Sequence, residues 1–357
     1  MKTGFKILFF SFLMFSILIL SGCSSDDIAE TDVQPQTFTL SMATFWPATA
    51  FQVAEMHQSW IDEISRRTDG RVRINIHPGG VLLGAREIYT GVASGAADIG
   101  TTCPSYTPGL FPLTEAFELP GYLNVNATAA SLTINEGYQR IKRELGVDEF
   151  DDVKVLFFWA TGPGNIMSNK PVRTLEDMRG MEIRAVGGTI PPLERLGATT
   201  HAMPMSESYL ALDQGLVDGI LAPNETLRAF RLAEVVDYVT NTPFLYNVAF
   251  VKIMNLSTWN SLPADLQAVF EELNAEFALK YPRMMDEFSK GILEQAVLDD
   301  GIEVIDLSEE QRQLWIDTIE PVVDGWILRR EGQDLPARQV VEMARELDMK
   351  YSEMYQD

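Results

Sequence analysis

The chain is poor in the residues from which covalent and metal centres are usually built. It has two cysteines, Cys23 and Cys103, and three histidines among 357 residues. No histidine pair has metal-ligand spacing, and neither a Gly-x-Ser-x-Gly turn nor a glycine-rich phosphate loop occurs. These gaps argue against a zinc enzyme, a serine hydrolase and a nucleotide-binding protein. We therefore predict no catalytic residue, no metal and no cofactor.

Basic residues are scarce as well. Lys and Arg number 28 against 51 Asp and Glu, which gives a formal net charge of −23. Such a surface repels nucleic-acid phosphates and anionic lipid headgroups, so nucleic acid is not expected as a partner. An anionic ligand has to be held by a local, buried cation. Hydrophobic residues make up 46% of the chain, which is enough to bury a large core.

The first 36 residues have the composition of a lipoprotein leader followed by a tether. Lys2 and Lys6 precede an apolar run over 7–20, which has the length of a signal-peptide core and is short for a membrane span. The run ends in Leu-Ser-Gly before Cys23, a pattern at which bacterial lipoproteins are lipidated. We predict a signal peptide over 1–22, an extracytoplasmic protein anchored to a membrane by a lipid at Cys23, and a flexible tether over 23–36. An ordinary signal or an uncleaved anchor is the alternative.

Strand and helix patterns alternate along the rest of the chain. A strand, a helix and a second strand are predicted between residues 38 and 77, and the pattern repeats between 153 and 202. Successive βα units predict parallel sheets covered by helices. A later helical pattern runs from Pro263 to about Leu298, interrupted at Tyr281–Pro282. At roughly 50 Å it is longer than one domain of this size, so we expect it to bridge two lobes.

Arg184 is the residue most suggestive of binding chemistry. It belongs to a predicted strand, Met181–Val186, that ends directly before a glycine turn. Open α/β sheets bind ligands beyond the carboxyl ends of their parallel strands. A guanidinium there offers a planar, two-pronged donor that matches a carboxylate. An internal ion pair with a neighbouring Asp or Glu is the alternative that these residues leave open.

Eight short runs between residues 80 and 263 resemble, in order, the motifs of the DctP-type solute-binding family of TRAP transporters. Each run alone is a weak signal, and their common order is a strong one. The runs are GVLLGARE at 80–87, GAADIG at 95–100, PGLFP at 108–112, ELPG at 118–121, SNKPVRTLEDMRGMEIR at 168–184, PMSESYLAL at 204–212, GLVDG at 215–219 and WNSLP at 259–263.

The resemblance implies a fold and a function. It implies an α/β protein with the two-lobed fold of periplasmic binding proteins, a ligand cleft between the lobes and a long bridging helix. In that family the arginine at the position of Arg184 binds the carboxylate of the ligand. The protein is then expected to capture a small organic acid and to deliver it to TRAP membrane subunits. A binding protein of an ABC-type importer or a sensor, or an extracytoplasmic lipoprotein enzyme, are the alternatives.

Two departures from the family pattern concern the ligand. Many members carry a second arginine where this chain has Gly164, and Glu-Asn-Pro where it has Leu221-Ala222-Pro223. A second ligand carboxylate would then be buried without a cation, which is costly. We therefore predict a monocarboxylate with an apolar or aromatic tail. The candidate ligand-binding residues are Arg184, Thr44, Phe45, Trp46, Trp159, Gly164, Met205 and Ala222.

The lobes are assigned from the order of these patterns. Lobe one is predicted to contain residues 37–160 with about 245–280, and lobe two residues 161–244 with about 281–357 and its C-terminal helices. Cys103 follows a short predicted strand and is expected to be a buried structural thiol.

Overall fold

Two separate sheets form the framework of the computed structural model, which describes residues 36–123 and 125–356. The predicted signal peptide, the lipid anchor at Cys23 and the tether as far as residue 35 lie outside the described residues. The strands are β1 (Phe38–Thr44), β2 (Val72–His77), β3 (Ile99–Thr102), β4 (Val153–Ala160), β5 (Gly164–Ser168), β6 (Glu182–Ala185), β7 (Thr199–Ala202), β8 (Gly219–Pro223), β9 (Tyr238–Asn241), β10 (Ala249–Asn255) and β11 (Glu303–Asp306).

Helices cover both sheets. No helix within the described ranges combines the length and the apolar character that crossing a membrane requires. The helices are α1 (Gln58–Arg67), α2 (Ile88–Ala93), α3 (Ala127–Arg140), α4 (Ile190–Arg195), α5 (Met205–Asp213), α6 (Thr226–Ala229), α7 (Leu256–Ser261), α8 (Ala264–Ser289), α9 (Ile292–Asp300), α10 (Glu309–Ile319), α11 (Pro321–Glu331) and α12 (Ala337–Met354).

The first sheet has the order β2-β1-β3-β10-β4. β1 pairs in parallel with β2 and β3, as the βα pattern predicts, whereas β10 runs antiparallel between β3 and β4. Every residue of β10 is buried. Its apolar character on both faces, visible in the sequence, is explained by this central position under helices.

The second sheet has the order β11-β9-β5-β8-β6-β7. β6 pairs in parallel with β7 and β8, and β5 runs antiparallel to β8 and β9. Chain passes between the sheets from β4 to β5 and from β9 to β10. The two connections are hydrogen-bonded to each other, since the Thr161 N–H donates to the Val248 carbonyl (3.0 Å) and the Gly164 N–H to the Tyr246 carbonyl (2.9 Å). We call residues 161–164 and 246–248 the paired connection.

The long helix differs from its prediction at the point of interruption. α8 is continuous over 26 residues, through the buried Pro282. The helical path is instead interrupted at Gly291, between α8 and α9. Packing of α8 against α1, α3 and β4 holds the helix at the proline despite the missing backbone donor. Gly291 has a φ of 77°, a left-handed conformation that glycine adopts without steric cost. α9 then contacts α6, so α8 and α9 together reach from the first sheet to the second.

The C-terminal segment 281–357 is divided between the two sheets. α10 contacts α4, which belongs with the second sheet, whereas α12 packs along α3, beside the first. The predicted assignment of this whole segment to lobe two is therefore wrong for α12. α12 has 18 residues and one strongly apolar face, and packing that face against α3 removes it from water.

Candidate ligand-binding site

Arg184 projects from the carboxyl end of a parallel strand. It is the third residue of β6, and its register partners are His201 in β7 and Ile220 in β8. The strand ends one residue later, and a single 3-10 turn, Gly187–Thr189, follows. The side chain of Arg184 is 1% exposed. A guanidinium is thus placed in the interior beyond the strand ends, where sheets of this kind bind ligands.

The guanidinium of Arg184 lacks a protein counter-ion. Its Nε donates to the Met203 carbonyl at 2.9 Å, and its Nη2 has no hydrogen-bond partner. Within residues 36–123 and 125–356, no Asp or Glu oxygen lies within 4.0 Å of it. The internal ion pair that the sequence left open is therefore not formed there. Arginine keeps its charge in proteins, so the buried site requires an anion.

A second buried basic residue, Lys252, shows the contrast. Its Nζ donates to the Tyr281 hydroxyl at 2.8 Å and lies 3.9 Å from the centre of the Trp60 ring. Burial lowers the pKa of Lys252 well below its ordinary value. Lysine responds to burial by losing its proton, which arginine does not. Of these two residues, only Arg184 needs an anionic partner.

Replacing Lys252 with methionine is expected to stabilise the protein and to leave ligand affinity unchanged. Burial lowers the pKa of Lys252 in the folded protein below that of the unfolded chain, so folding disfavours the protonated side chain at a cost that falls as pH rises towards the ordinary lysine pKa. We expect Lys252→Met to raise the free energy of unfolding at pH 7 by about 1–4 kcal/mol, measured by urea titration. A gain that stayed equal at pH 7 and pH 10 would contradict this reason.

A small cavity lies beside Arg184. Its walls come from the carboxyl-end loops of both sheets and from the paired connection, so the cavity sits at the junction of the two sheets. The lining residues are Phe45, Trp46, Gln52, Tyr106, Thr161, Arg184, Val186, Met205, Pro223, Glu225, Thr226, Phe230, Tyr246, Val248 and Phe250.

Aromatic rings form one wall of this cavity. Phe45 and Trp46 stack with ring centres 4.0 Å apart, and Phe250 lies 4.8 Å from Trp46. The loop after β1 that carries the first two rings is fixed by the loop after β2, because the Gly79 N–H donates to the Trp46 carbonyl at 2.7 Å. Packed rings of this kind give a rigid apolar surface.

Of the predicted site residues, Arg184, Phe45, Trp46 and Met205 line the cavity. Thr44 and Trp159 are buried but do not line it. Thr44 is the last residue of β1, directly before Phe45, and lies opposite Thr101 of β3.

Trp159 lies behind the aromatic wall, where its ring stacks on Phe250 at 4.5 Å. It therefore supports the wall from the core side. Side chains alternate between the two faces of a strand, so only some residues near a strand end reach a cavity.

Gly164 and Ala222 are also absent from the lining. They lie on the neighbouring antiparallel strands β5 and β8, where Gly164 is paired with Pro223 and Ala222 with Asn165. A Cβ added at Gly164 would lie 2.0 Å from the Tyr246 ring. The space of a larger side chain at 164 is thus occupied by Tyr246, and this tyrosine lines the cavity instead.

Several lining residues were missed by the sequence reasoning. Besides Tyr246, two of them, Tyr106 and Glu225, have ionisable side chains, and Tyr106 is the first. Its hydroxyl accepts a hydrogen bond from the Met205 N–H at 3.1 Å, which links the loop after β3 to α5 of the second sheet. Burial raises the pKa of Tyr106 to about 12, an effect opposed by the charge of nearby Arg184. The stretch 104–112 carries a family motif just after Tyr106, which was the available signal.

Glu225 is the second missed residue. It follows β8 directly before α6 and is 2% exposed. Burial raises the pKa of Glu225 to about 8, and the negative charge of Asp286 adds to the effect. Nothing in the local sequence separates this carboxyl from the other 50 acidic residues, because its burial depends on distant elements.

A wider groove also lies between the sheets, lined among others by Arg86, Glu115 and Arg330. Both arginines already have counter-ions. Arg86 pairs with Glu207 at 2.8 Å, and Arg330 pairs with Glu115 at 2.6 Å. This groove therefore carries no unsatisfied positive charge, and the smaller cavity is the better anion site.

Metal-ligating and reactive groups were also sought across the described ranges. There, no three His, Cys, Asp or Glu side chains are grouped so that they could hold a metal ion. Cys103 is buried, as expected, and burial raises the pKa of its thiol well above the ordinary value.

Two sheets joined by a paired connection, with an apolar cavity and an unpaired arginine at their junction, define a two-lobed solute-binding protein. Residues 42–329 match the family model of bacterial extracellular solute-binding proteins, family 7, or DctP. The chain belongs to this family, whose members serve TRAP transporters, and its two-lobed α/β fold with a long helix is confirmed.

Three relatives illustrate the similarity. The chain is 26% identical to the C4-dicarboxylate-binding periplasmic protein DctP of Rhodobacter capsulatus over 76% of this chain and 81% of that protein. A TRAP periplasmic solute-binding protein of Desulfovibrio salexigens, solved in an open form, is 37% identical with a TM-score of 0.74, covering 88% of this chain and 96% of that one. A TRAP solute-binding protein of Rhodoferax ferrireducens in complex with copurified benzoate is 27% identical with a TM-score of 0.83, covering 89% and 99%.

Family membership establishes the general role. The protein is a TRAP solute-binding protein of the extracytoplasmic compartment, a class that binds small organic acids and works with membrane subunits.

Proposed function

We propose that this protein captures a monocarboxylate with an apolar or aromatic tail and delivers it to its TRAP membrane subunits. The observation that carries the proposal is the buried Arg184, which has a free Nη2 and borders a cavity walled by Phe45, Trp46 and Phe250. A carboxylate supplies the missing counter-ion and accepts two parallel hydrogen bonds. The rings then accommodate the rest of the ligand.

One carboxylate suits this cavity better than two. Arg184 is the one Lys or Arg side chain that lines it among the described residues, and the other ionisable lining groups are Glu225, Tyr106 and Tyr246. A second carboxylate would lose its hydration without gaining a cation, which makes a C4-dicarboxylate unfavourable. The greater structural similarity to the benzoate complex than to the open form, despite lower sequence identity, supports a ligand-enclosing conformation.

The proposed lobes close on the ligand about the paired connection. We assign residues 37–160 and 245–280 with α12 to lobe one, and residues 161–244 with α9 and α10 to lobe two. Ligand stabilises the closed form by its differential affinity for that form. The Arg86–Glu207 pair joins the two lobes at the rim, where its half-exposed position limits its contribution.

A lipid at Cys23 is proposed to keep the protein at the membrane. The 13 residues between Cys23 and Thr37 then form a polar tether that keeps lobe one free to move.

A ligand screen tests the proposed function. Purified protein is heated with benzoate, linear aliphatic monocarboxylates, succinate and benzamide. We expect benzoate or another monocarboxylate to raise the melting temperature, with a stabilisation of about 2.7 kcal/mol at a hundredfold excess over Kd. Benzamide matches benzoate in shape without its charge and is expected to have no effect. Preferential stabilisation by succinate, or equal effects of benzoate and benzamide, would refute the proposal.

A further inference from the structure

Glu225 places a carboxyl group in the wall of the proposed anion-binding cavity, where a negative charge would repel the ligand. Its side chain is 2% exposed and lines the same cavity as Arg184. Within residues 36–123 and 125–356 no Lys, Arg or His nitrogen lies within 4.0 Å of its oxygens. A buried carboxyl without a cation is stable in its neutral form.

The charged groups around Glu225 reinforce that state. Asp286 of α8 raises the pKa of Glu225 further, beyond the effect of burial. Arg228 of α6 is occupied by Asp299 and Asp300 of α9, at 3.4 and 2.9 Å. With a pKa of about 8, the carboxyl is mainly protonated at neutral pH and presents an O–H donor and a carbonyl acceptor.

Neighbouring polar side chains do not use this donor. The Thr226 hydroxyl donates to the Pro223 carbonyl at 2.6 Å, and the Asn224 side chain accepts from Asn165 at 3.0 Å. In the described part of the chain, the Glu225 carboxyl has no hydrogen bond to another residue and is stabilised only by its own backbone. Its O–H donor and carbonyl acceptor are therefore available to a molecule in the cavity.

Arg184 and Glu225 act on different parts of a ligand. Both line the same cavity, but no Arg184 nitrogen lies within 4.0 Å of a Glu225 oxygen, so the two groups are not paired. Tyr246 lines the cavity as well. A ligand whose carboxylate is bound by Arg184 thus meets Glu225 with its tail.

We propose that Glu225 is a specificity-determining residue that selects monocarboxylates bearing a hydroxyl or carbonyl oxygen on the tail. The inference rests on the proposed function and adds a second recognition point to it. A site with a buried polar group discriminates strongly against a ligand that leaves the group unpaired. An apolar acid of the same shape therefore binds less tightly than its hydroxylated counterpart.

The test compares benzoate with its three monohydroxy derivatives by calorimetry on the wild type, Glu225→Gln and Glu225→Leu. We expect one hydroxybenzoate to bind the wild type about tenfold or more tightly than benzoate. Glu225→Gln keeps an N–H donor and retains most of this preference, whereas Glu225→Leu abolishes it. A wild type without preference, or a preference that survives in Glu225→Leu, overturns the inference alone. Failure of every carboxylate to bind overturns the proposed function as well.

The pH dependence of benzoate binding provides a second readout. Ionised Glu225 repels the ligand anion, so affinity stays constant up to about pH 8 and falls above it in the wild type. Glu225→Gln removes the fall. Glu118→Gln is the matched control, because Glu118 is another buried carboxyl with a raised pKa, of about 7, outside the cavity lining. If the affinity for benzoate instead falls completely by pH 6, and Glu225→Gln abolishes that fall, the carboxyl is ionised at neutral pH. This result would overturn its role as a hydrogen-bond donor.

Discussion

Replacing Arg184 with methionine is expected to weaken binding of a monocarboxylate by about two to four orders of magnitude. The substitution keeps an unbranched apolar stem and removes the charge. Loss of one partner from a buried, hydrogen-bonded charge pair costs about 2–5 kcal/mol, which corresponds to this range. The affinity is measured by calorimetry with the acid that the ligand screen identifies.

The stability of the ligand-free protein is not expected to fall in the same variant. Arg184 has one backbone acceptor, an unpartnered Nη2 and no counter-ion among the described residues, so its burial is a cost to folding. We expect Arg184→Met to leave the free energy of unfolding unchanged or to increase it. This combination of lost affinity and retained stability separates a ligand-binding residue from a structural one.

Lys252→Met is the matched control for this substitution. It too removes a buried basic side chain, but one enclosed by aromatic rings with no cavity beside it. Its ligand affinity should equal that of the wild type. An Arg184→Met variant that bound normally, or a Lys252→Met variant that lost binding to the same degree, would contradict the assignment of the anion site.

Replacing Gly164 with alanine is expected to destabilise the protein by about 1–3 kcal/mol or more. The added methyl group would lie 2.0 Å from a ring carbon of Tyr246, well inside van der Waals contact. Tyr246 has little freedom to move, since its hydroxyl donates to the Leu221 carbonyl at 3.1 Å and its own carbonyl accepts from Gly164. Overpacking of this kind shifts backbone and side chains at a cost in this range.

The change at 164 is also expected to weaken ligand binding, because Tyr246 forms part of the cavity wall. Gly162→Ala is the matched control two residues away, where the nearest atom to an added Cβ is 3.9 Å distant. We expect it to change stability by no more than about 0.5 kcal/mol. Equal urea midpoints for the two alanine variants would show that the contact with Tyr246 relaxes at no cost.

The fold could be predicted from the sequence because its elements have local signals. Alternation in Arg71–His77 and helical spacing over residues 53–64 are properties of contiguous residues, and the strands and helices form there. The interruption of α8 was placed at Pro282 because proline is a strong local signal. Packing against α1, α3 and β4 overrides that signal, and the break falls at a glycine that the sequence reasoning did not consider.

The site could be predicted only where a motif or a strand end pointed to it. Phe45 and Trp46 follow β1 of the first sheet and Arg184 lies near the end of β6 of the second, and the carboxyl ends of both strands border the cavity. Trp159 has the same kind of position and points into the core. Glu225 could not be singled out, since a carboxyl becomes unusual only when remote elements exclude water from it.

The paired connection has a mechanical consequence. Thr161 and Val248 belong to the paired connection, and both also line the cavity. A molecule bound there would therefore contact the connection between the lobes as well as the lobes themselves. In the proposed closure, a ligand that contacts this connection sets the angle between the lobes, and the shape of the outer surface would then distinguish a loaded protein from an empty one.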